Sequence, residues 1–135
     1  MTTTIDWRAR AKNLKFRSGV YIDGRFRDAA KGGRFETINP ANAQVLTDVA
    51  RGTAEDIDAA VASARRAFND GRWSGKSPAE RKEVLLRLAA LIRENIPELA
   101  LLETLDVGKP ISDSSTIDAP GSAHFFQWHA EAIDK

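Results

Sequence analysis

"GRWSGKSPAE", Gly71 to Glu80, is the stretch whose reading decides the fold. Its first seven residues nearly spell the phosphate loop of nucleotide hydrolases: a glycine, four free positions, then Gly-Lys-Ser/Thr. Such a loop needs a strand before it, so that backbone amides and the next helix's N-terminus converge on the anion. Here the preceding residues carry helical spacing, and only three residues separate Gly71 from Gly75. Ser77 has a different use. "SPAE" (Ser77 to Glu80) is a capping box with proline at the first helical position. The stretch therefore reads as a connection between two helices, with Trp73 packing the corner and Lys76 a solvated charge.

Helices follow on both sides. Upstream, Thr53 is a good N-cap and Asp56 sits three residues later, where an acid helps the free amides. Ile57, Ala60, Val61, Ala64 and Phe68 form one apolar stripe. Downstream, Leu85, Leu88, Ala89, Ile92 and Ile96 are the expected buried face. Arg81, Lys82, Glu83, Arg87, Arg93 and Glu94 are its wet side. A third helix begins near Pro97, carries Leu101, Leu102 and Leu105, and stops at "VGKP". There Gly108 suits the left-handed position and Pro110 cannot continue the helix. A fourth covers roughly Ile117 to Ile133, with Pro120 and Gly121 in its first turns and Phe125, Trp128, His129 and Ala132 on one face.

The first fifty residues are different. "VYIDGRFR" (Val20 to Arg27) reads as a hairpin, because Asp23-Gly24 tolerates positive φ at both turn positions. "RFETI" (Arg34 to Ile38) and "VLTDVA" (Val45 to Ala50) are strands joined by the turn chemistry of "NPANAQ". The expected fold class is α/β: short antiparallel N-terminal strands followed by about four amphipathic helices. Residues 1–19 are set apart as an N-terminal arm, and residues 20–135 as the main body. The arm carries Arg8, Arg10, Lys12, Lys15 and Arg17 against a single Asp6. It lacks the serine richness of a mitochondrial leader and the apolar core of a secretory signal. Trp7, Ala11 and Leu14 share a helical face, which predicts a short helix packed on its own protein.

Composition removes several function classes. Twenty basic and 19 acidic side chains leave a net charge of +1, so nothing points to nucleic acid. No apolar run approaches the ~20 residues of a membrane span. There is no cysteine, hence no thiolate zinc site and no cysteine nucleophile in this chain. His124 and His129 are five apart and do not align as an i, i+4 metal pair. His129 is expected to be satisfied and partly buried. Asp113, Asp118, Glu131 and Asp134 read as surface acids. On residues alone, this is a soluble α/β domain without a catalytic constellation.

The order of stretches says more. "VYIDGRF", "FETINPANAQVL", "DIDAAVASARRAF", "GRWSGKSPAERKEVLLRLAALI" and "ELALLETLDVGKPI" together resemble the N-terminal part of an aldehyde dehydrogenase. The resemblance runs from about Val20 to Lys135, and "ETLDVGKP" (Glu103 to Pro110) is among its most specific pieces. Asp118, Pro120, Gly121, Trp128 and "AEAIDK" resemble one branch, which oxidises ω-amino or γ-glutamylamino aldehydes in bacterial polyamine breakdown, with betaine-aldehyde-like enzymes nearby.

The resemblance implies an incomplete cofactor-binding domain. The family's cysteine nucleophile, glutamate base, oxyanion-holding asparagine and NAD(P)-binding motifs all lie beyond Lys135. This chain is thus expected to supply no catalytic and no cofactor-binding residue, and to be inactive alone as the front segment of a longer enzyme. NAD or NADP, a small aldehyde, the remainder of the chain and a homo-oligomer in the cytoplasm are the implied partners. The resemblance also implies a structural Na⁺ or K⁺ on the backbone carbonyls of Thr37 and Ile38 and the carboxylate of Asp106, with a further ligand beyond Lys135. Against it stands Asp106 as a mere cap or salt link of its helix.

One alternative is a stand-alone helical interaction module that associates with a full-length homologue or another partner. A phosphate-binding enzyme built on Gly71 to Ser77 is the weakest reading.

Overall fold

The computed structural model describes residues 5–135. A short helix, α1 (Trp7–Lys12), opens the chain. Asp6 caps it by accepting from the Ala9 N–H at 3.0 Å, and the Asn13 amide donates to the Ala9 carbonyl at its other end. Two antiparallel hairpins follow, each its own two-stranded sheet: β1 (Val20–Ile22) with β2 (Arg25–Arg27), and β3 (Arg34–Asn39) with β4 (Gln44–Ala50). Asp23 and Gly24 take φ of 55° and 78°, the pair of positive values that a tight primed turn requires. In the second hairpin the register passes from Thr37 opposite Thr47 to Ile38 opposite Val45. Leu46 is therefore the extra residue of a bulge, which bends the ladder at that point.

Helices α2 (Ala54–Asn69), α3 (Pro78–Glu94) and α4 (Ile96–Val107) come next. Gly71 to Ser77 joins α2 to α3 by a turn, with Gly71 at φ 76° and its carbonyl accepting from the Gly75 N–H at 2.8 Å. No strand precedes it, so the phosphate-loop geometry is absent. Trp73 is 41% exposed rather than packed into the corner, and Lys76 pairs with Glu80 at 3.4 Å rather than standing free.

Ile96 starts α4; it does not finish the buried face of α3. Asn95 ends α3, accepting no further turn, and its backbone also opens α4.

The last helical stretch begins earlier than the pattern predicts. It opens at α5 (Ile111–Asp113), continues through a π-helical turn (Ser114–Asp118) and runs into α6 (Ala119–Ala132). Proline 120 lies inside this run, where it lacks an N–H and its ring crowds the carbonyl four residues back. The wider π turn just ahead of it, with the Ala119 N–H reaching the Ser114 carbonyl, relieves that crowding.

The tightest packing is α3 against α6. They run antiparallel: Lys82 near the start of α3 meets Asp134 at 2.8 Å, and Arg93 near its end reaches Gln127. Ala89, Ala123 and Ala130 are fully buried, so small side chains let the helices approach closely. The face that Phe125, Trp128, His129 and Ala132 share is the exposed one, and the expected buried and wet faces of α3 are corrected. Phe125 and Trp128 are 66% and 57% exposed, and His129 and Ala132 are exposed with them. Leu88 is 37% exposed, whereas Arg81 and Lys82 are half-buried. The fully buried side chains of these two helices are alanines, not the large residues.

Candidate functional site

Helix α4 carries the candidate site at its C-terminal end. Gly108 adopts φ 79° there, as the left-handed stop predicts, and closes the helix onto the Thr104 carbonyl. A Cβ on Gly108 would meet Pro40 Cγ at 2.7 Å, so the helix end abuts the β3–β4 turn. Both the positive φ and this close approach demand glycine.

One turn back, Asp106 faces β3. The Thr37 hydroxyl donates to Asp106 Oδ1 at 2.7 Å, across a sequence separation of 69 residues. Among the described residues the bond from Thr37 is the side-chain hydrogen bond found at Asp106. Thr37 lies at the bulge, next to Ile38 in β3, so this hydrogen bond joins the end of α4 to the irregular part of β3. The sequence pointed to Thr37 for its carbonyl; the role of its hydroxyl could not be read from spacing.

Around this contact lies a cleft of about 670 Å³ between α4 and the second hairpin. Phe35, Val49, Leu99 and Leu102 give it an apolar floor; Glu98, Glu103 and Asp106 line one side, and Lys15 and Arg17 of the arm another. The last turn of α4 contains no basic residue. Carboxylates there meet the negative end of the helix dipole, which disfavours them unless a cation is near. Lys109, next in sequence, is already paired with Asp118, whose carboxylate holds its ammonium pKa above the ordinary lysine value.

A second polar centre is Asp56, only 2% exposed. Its carboxylate accepts from the Thr53 N–H at 2.9 Å, the Thr53 hydroxyl at 3.1 Å and the Ala30 N–H at 3.0 Å, with Arg27 at 3.8 Å. The Thr53 amide above all, with Ala30 and Arg27 adding, holds its pKa below the ordinary aspartate value against the opposing cost of burial. This is a structural anchor joining the β2–β3 loop to α2. Nothing in the chain's spacing reports the contact with Ala30.

The other candidates do not converge. His124 and His129 are both exposed, with His129 edge-on to Trp128 at 5.0 Å. The partly buried position expected for His129 is therefore corrected: it lies on the uncovered side of α6. Glu131 is held by Gln127 and Asp118 by Lys109, both nearby in the chain, and Asp134 by Lys82 across to α3, so these acids serve structural links. Among the described residues, no three His, Asp or Glu side chains are grouped to hold a metal ion. No helix among them is long and apolar enough to cross a membrane.

Comparison with known proteins gives this arrangement its context. A sequence model of the aldehyde dehydrogenase family matches residues 26–135. An aminoacetaldehyde dehydrogenase of Pseudomonas aeruginosa is 50% identical over 96% of this chain and 26% of its own length. The crystal structure of a gamma-glutamyl-gamma-aminobutyraldehyde dehydrogenase from Burkholderia cenocepacia superposes with a TM-score of 0.94 at 52% identity, covering 96% of this chain and 26% of that one. An indole-3-acetaldehyde dehydrogenase of P. syringae, solved with NAD⁺, gives a TM-score of 0.93 at 49% identity with the same coverage. The chain thus spans about a quarter of the length of the relatives it matches, 26% in each case.

Proposed function

The chain belongs to the aldehyde dehydrogenase family, and on that premise we propose that it is the front part of an enzyme that oxidises an ω-amino or γ-glutamylamino aldehyde to the carboxylic acid. NAD or NADP would accept the hydride, bound by parts of the parent polypeptide beyond this chain. The observation that carries the reading is near-complete coverage of this chain by relatives of which it covers only 26%. Two of the three relatives are named for aldehydes that bear an amino or γ-glutamylamino group. A homo-oligomeric, cytoplasmic enzyme of polyamine breakdown is the setting that fits that substrate class. No observation favours the stand-alone interaction module.

Within such an enzyme this chain contributes framework rather than chemistry. It has no cysteine, so it offers no thiolate to attack a carbonyl, and the chain alone is expected to reduce no NAD(P) in the presence of aldehyde. The ligand site we propose for it is the end of α4. The Thr37 and Ile38 carbonyls and the Asp106 carboxylate form an all-oxygen donor set of the kind that suits a hard cation. A Na⁺ or K⁺ there would offset the acids at the negative end of α4 and tie the helix to β3.

Reading the source DNA past the codon for Lys135 tests the framework claim: an open frame carrying a cofactor motif and a reactive cysteine is expected, and a genuine stop would overturn it. The substrate claim is tested on the purified parent polypeptide by comparing kcat/KM for γ-glutamylaminobutyraldehyde, aminoacetaldehyde and indole-3-acetaldehyde. A preference for the indole aldehyde would sink it.

A further inference from the structure

The N-terminal arm crosses the gap that the Thr37–Asp106 contact spans. At one end, α1 and the two residues after it lie on the start of α4: Ala9, Asn13 and Leu14 face Pro97, Glu98 and Leu101 across a small cleft. Leu101 is only 4% exposed. In the middle, Lys15 to Arg17 run along the mouth of the larger cleft beside Asp106. At the other end the arm is bound to both hairpins. The Ser18 carbonyl accepts from the Ala50 N–H at 2.7 Å, its hydroxyl accepts from Arg34 at 2.8 Å, and the Arg17 guanidinium stacks over Phe26 at 5.5 Å. A Cβ on Gly19 would meet the Arg27 carbonyl at 2.7 Å, so the chain is pressed against β2 there.

We propose that residues 6–19 are a strap that holds α4 against the second hairpin and thereby sets the position of Asp106 opposite Thr37 and Ile38. Helix α4 and β3 otherwise meet through Asp106 and Thr37 at the helix end and flank the open cleft that Leu99, Leu102 and Phe35 line. A segment anchored on both bodies removes their freedom to slide past each other, and a slip of a fraction of an ångström matters at an oxygen-lined ion site. The strap lies outside the family match, which begins at residue 26, yet the relatives and solved structures that match this chain cover 96% of it, most of the strap included. Leu14, which lines the small cleft against α4, and Trp7, half-buried on α1, are the positioning residues; neither would touch the ion.

The cation part of this inference rests on the ion site proposed above, so two readouts are needed. Hydrogen exchange of the Thr104 to Gly108 and Thr37 to Asn39 amides is measured in the parent polypeptide, as wild type, Leu14→Ala and Trp7→Ala. The melting temperature of each is titrated with KCl and with NaCl at constant ionic strength. Both substitutions are expected to speed exchange at the α4 end and at β3 while leaving α3 and α6 unchanged. They should raise the salt concentration for half of the cation-dependent melting shift roughly 10-fold, the usual cost of losing a support behind the ligands. Saturating cation should restore most of the melting temperature. Unchanged exchange at both segments overturns the strap, whatever the cation does. If neither ion shifts wild-type melting and Asp106→Asn changes nothing, the ion site fails, while the exchange result still decides the strap.

Discussion

Helices α2 and α3 begin with the same local device and use it differently. Each opens with a hydroxyl residue followed three positions later by an acid: Thr53 with Asp56, and Ser77 with Glu80. At α3 the box is exposed and closed on itself. Ser77 Oγ accepts from the Glu80 N–H at 3.3 Å, and Glu80 accepts from the Ser77 N–H at 2.8 Å. At α2 the acid is buried and also takes the Ala30 N–H from a loop 26 residues away. Asp23 extends the same polar docking, accepting from Ser63 at 3.0 Å and pairing with Arg66 at 3.6 Å. Helix α2 is thus pinned to the first hairpin by hydrogen bonds, while Ile57, Val61 and Phe68 stay 58–65% exposed. Helix α3 owes its place to close packing on α6. The motif only caps its helix at α3, whereas at α2 it also fixes a tertiary contact.

The largest effect is expected where cap and anchor coincide. Asp56→Asn keeps the shape but turns one acceptor into a donor facing the Ala30 and Thr53 donors. The loss of melting temperature should exceed that of Glu80→Gln clearly; equal losses would mean that the Ala30 contact adds nothing. Acid should separate the two as well. Both carboxylates are held below their ordinary pKa values, Asp56 chiefly by the Thr53 amide and Glu80 chiefly by the Ser77 amide. Each therefore stabilises the fold fully above the ordinary value, about 3.9 for Asp and 4.3 for Glu, and loses that contribution as pH falls toward its lowered value. Melting scans from pH 6 down to roughly pH 3 should show Asp56→Asn flattening the acid limb more than Glu80→Gln does.

Next in size is Ala89→Leu. Ala89 is fully buried between α3 and α6, and the added atoms have no space without backbone movement. A loss of about 1–3 kcal/mol is expected, read by denaturant titration. A neutral result would mean that the alanine interface is looser than its burial implies. Ser77→Ala should cost about 1 kcal/mol, the ordinary value of an N-cap. A much larger loss would give Ser77 a tertiary role like that of Asp56.

What could be read in advance follows the same division. The Asp23-Gly24 turn, the capping boxes, the Gly108 stop and the strand order are signals held within a few residues, and all were legible. The π turn was not, because Pro120 and Gly121 read as a helix start, whereas a widened turn lets the helix run past them. The buried side of α6 was not legible because Ala123 and Ala130, fully buried there, are too small to stand out beside Phe125 and Trp128, which lie on the exposed face. At the candidate site the three residues were legible only through resemblance. Spacing could not report that the Thr37 hydroxyl meets Asp106, since those residues are 69 apart.

The smallest effect concerns the uncovered side of α2. Phe68 is 65% exposed, with the Arg65 guanidinium over its ring at 5.9 Å. In this chain Phe68→Ser should change stability by no more than about 0.5 kcal/mol, as for an ordinary surface position. In the parent polypeptide the same change should cost more, because an apolar stripe of Ile57, Val61 and Phe68 along one helix is the sort of surface that proteins cover. Equal, small effects in both would mean that α2 stays bare in the complete enzyme and is held only by its polar side. A large effect in the short chain would mean that copies of it already cover one another, and the melting temperature would then rise with protein concentration.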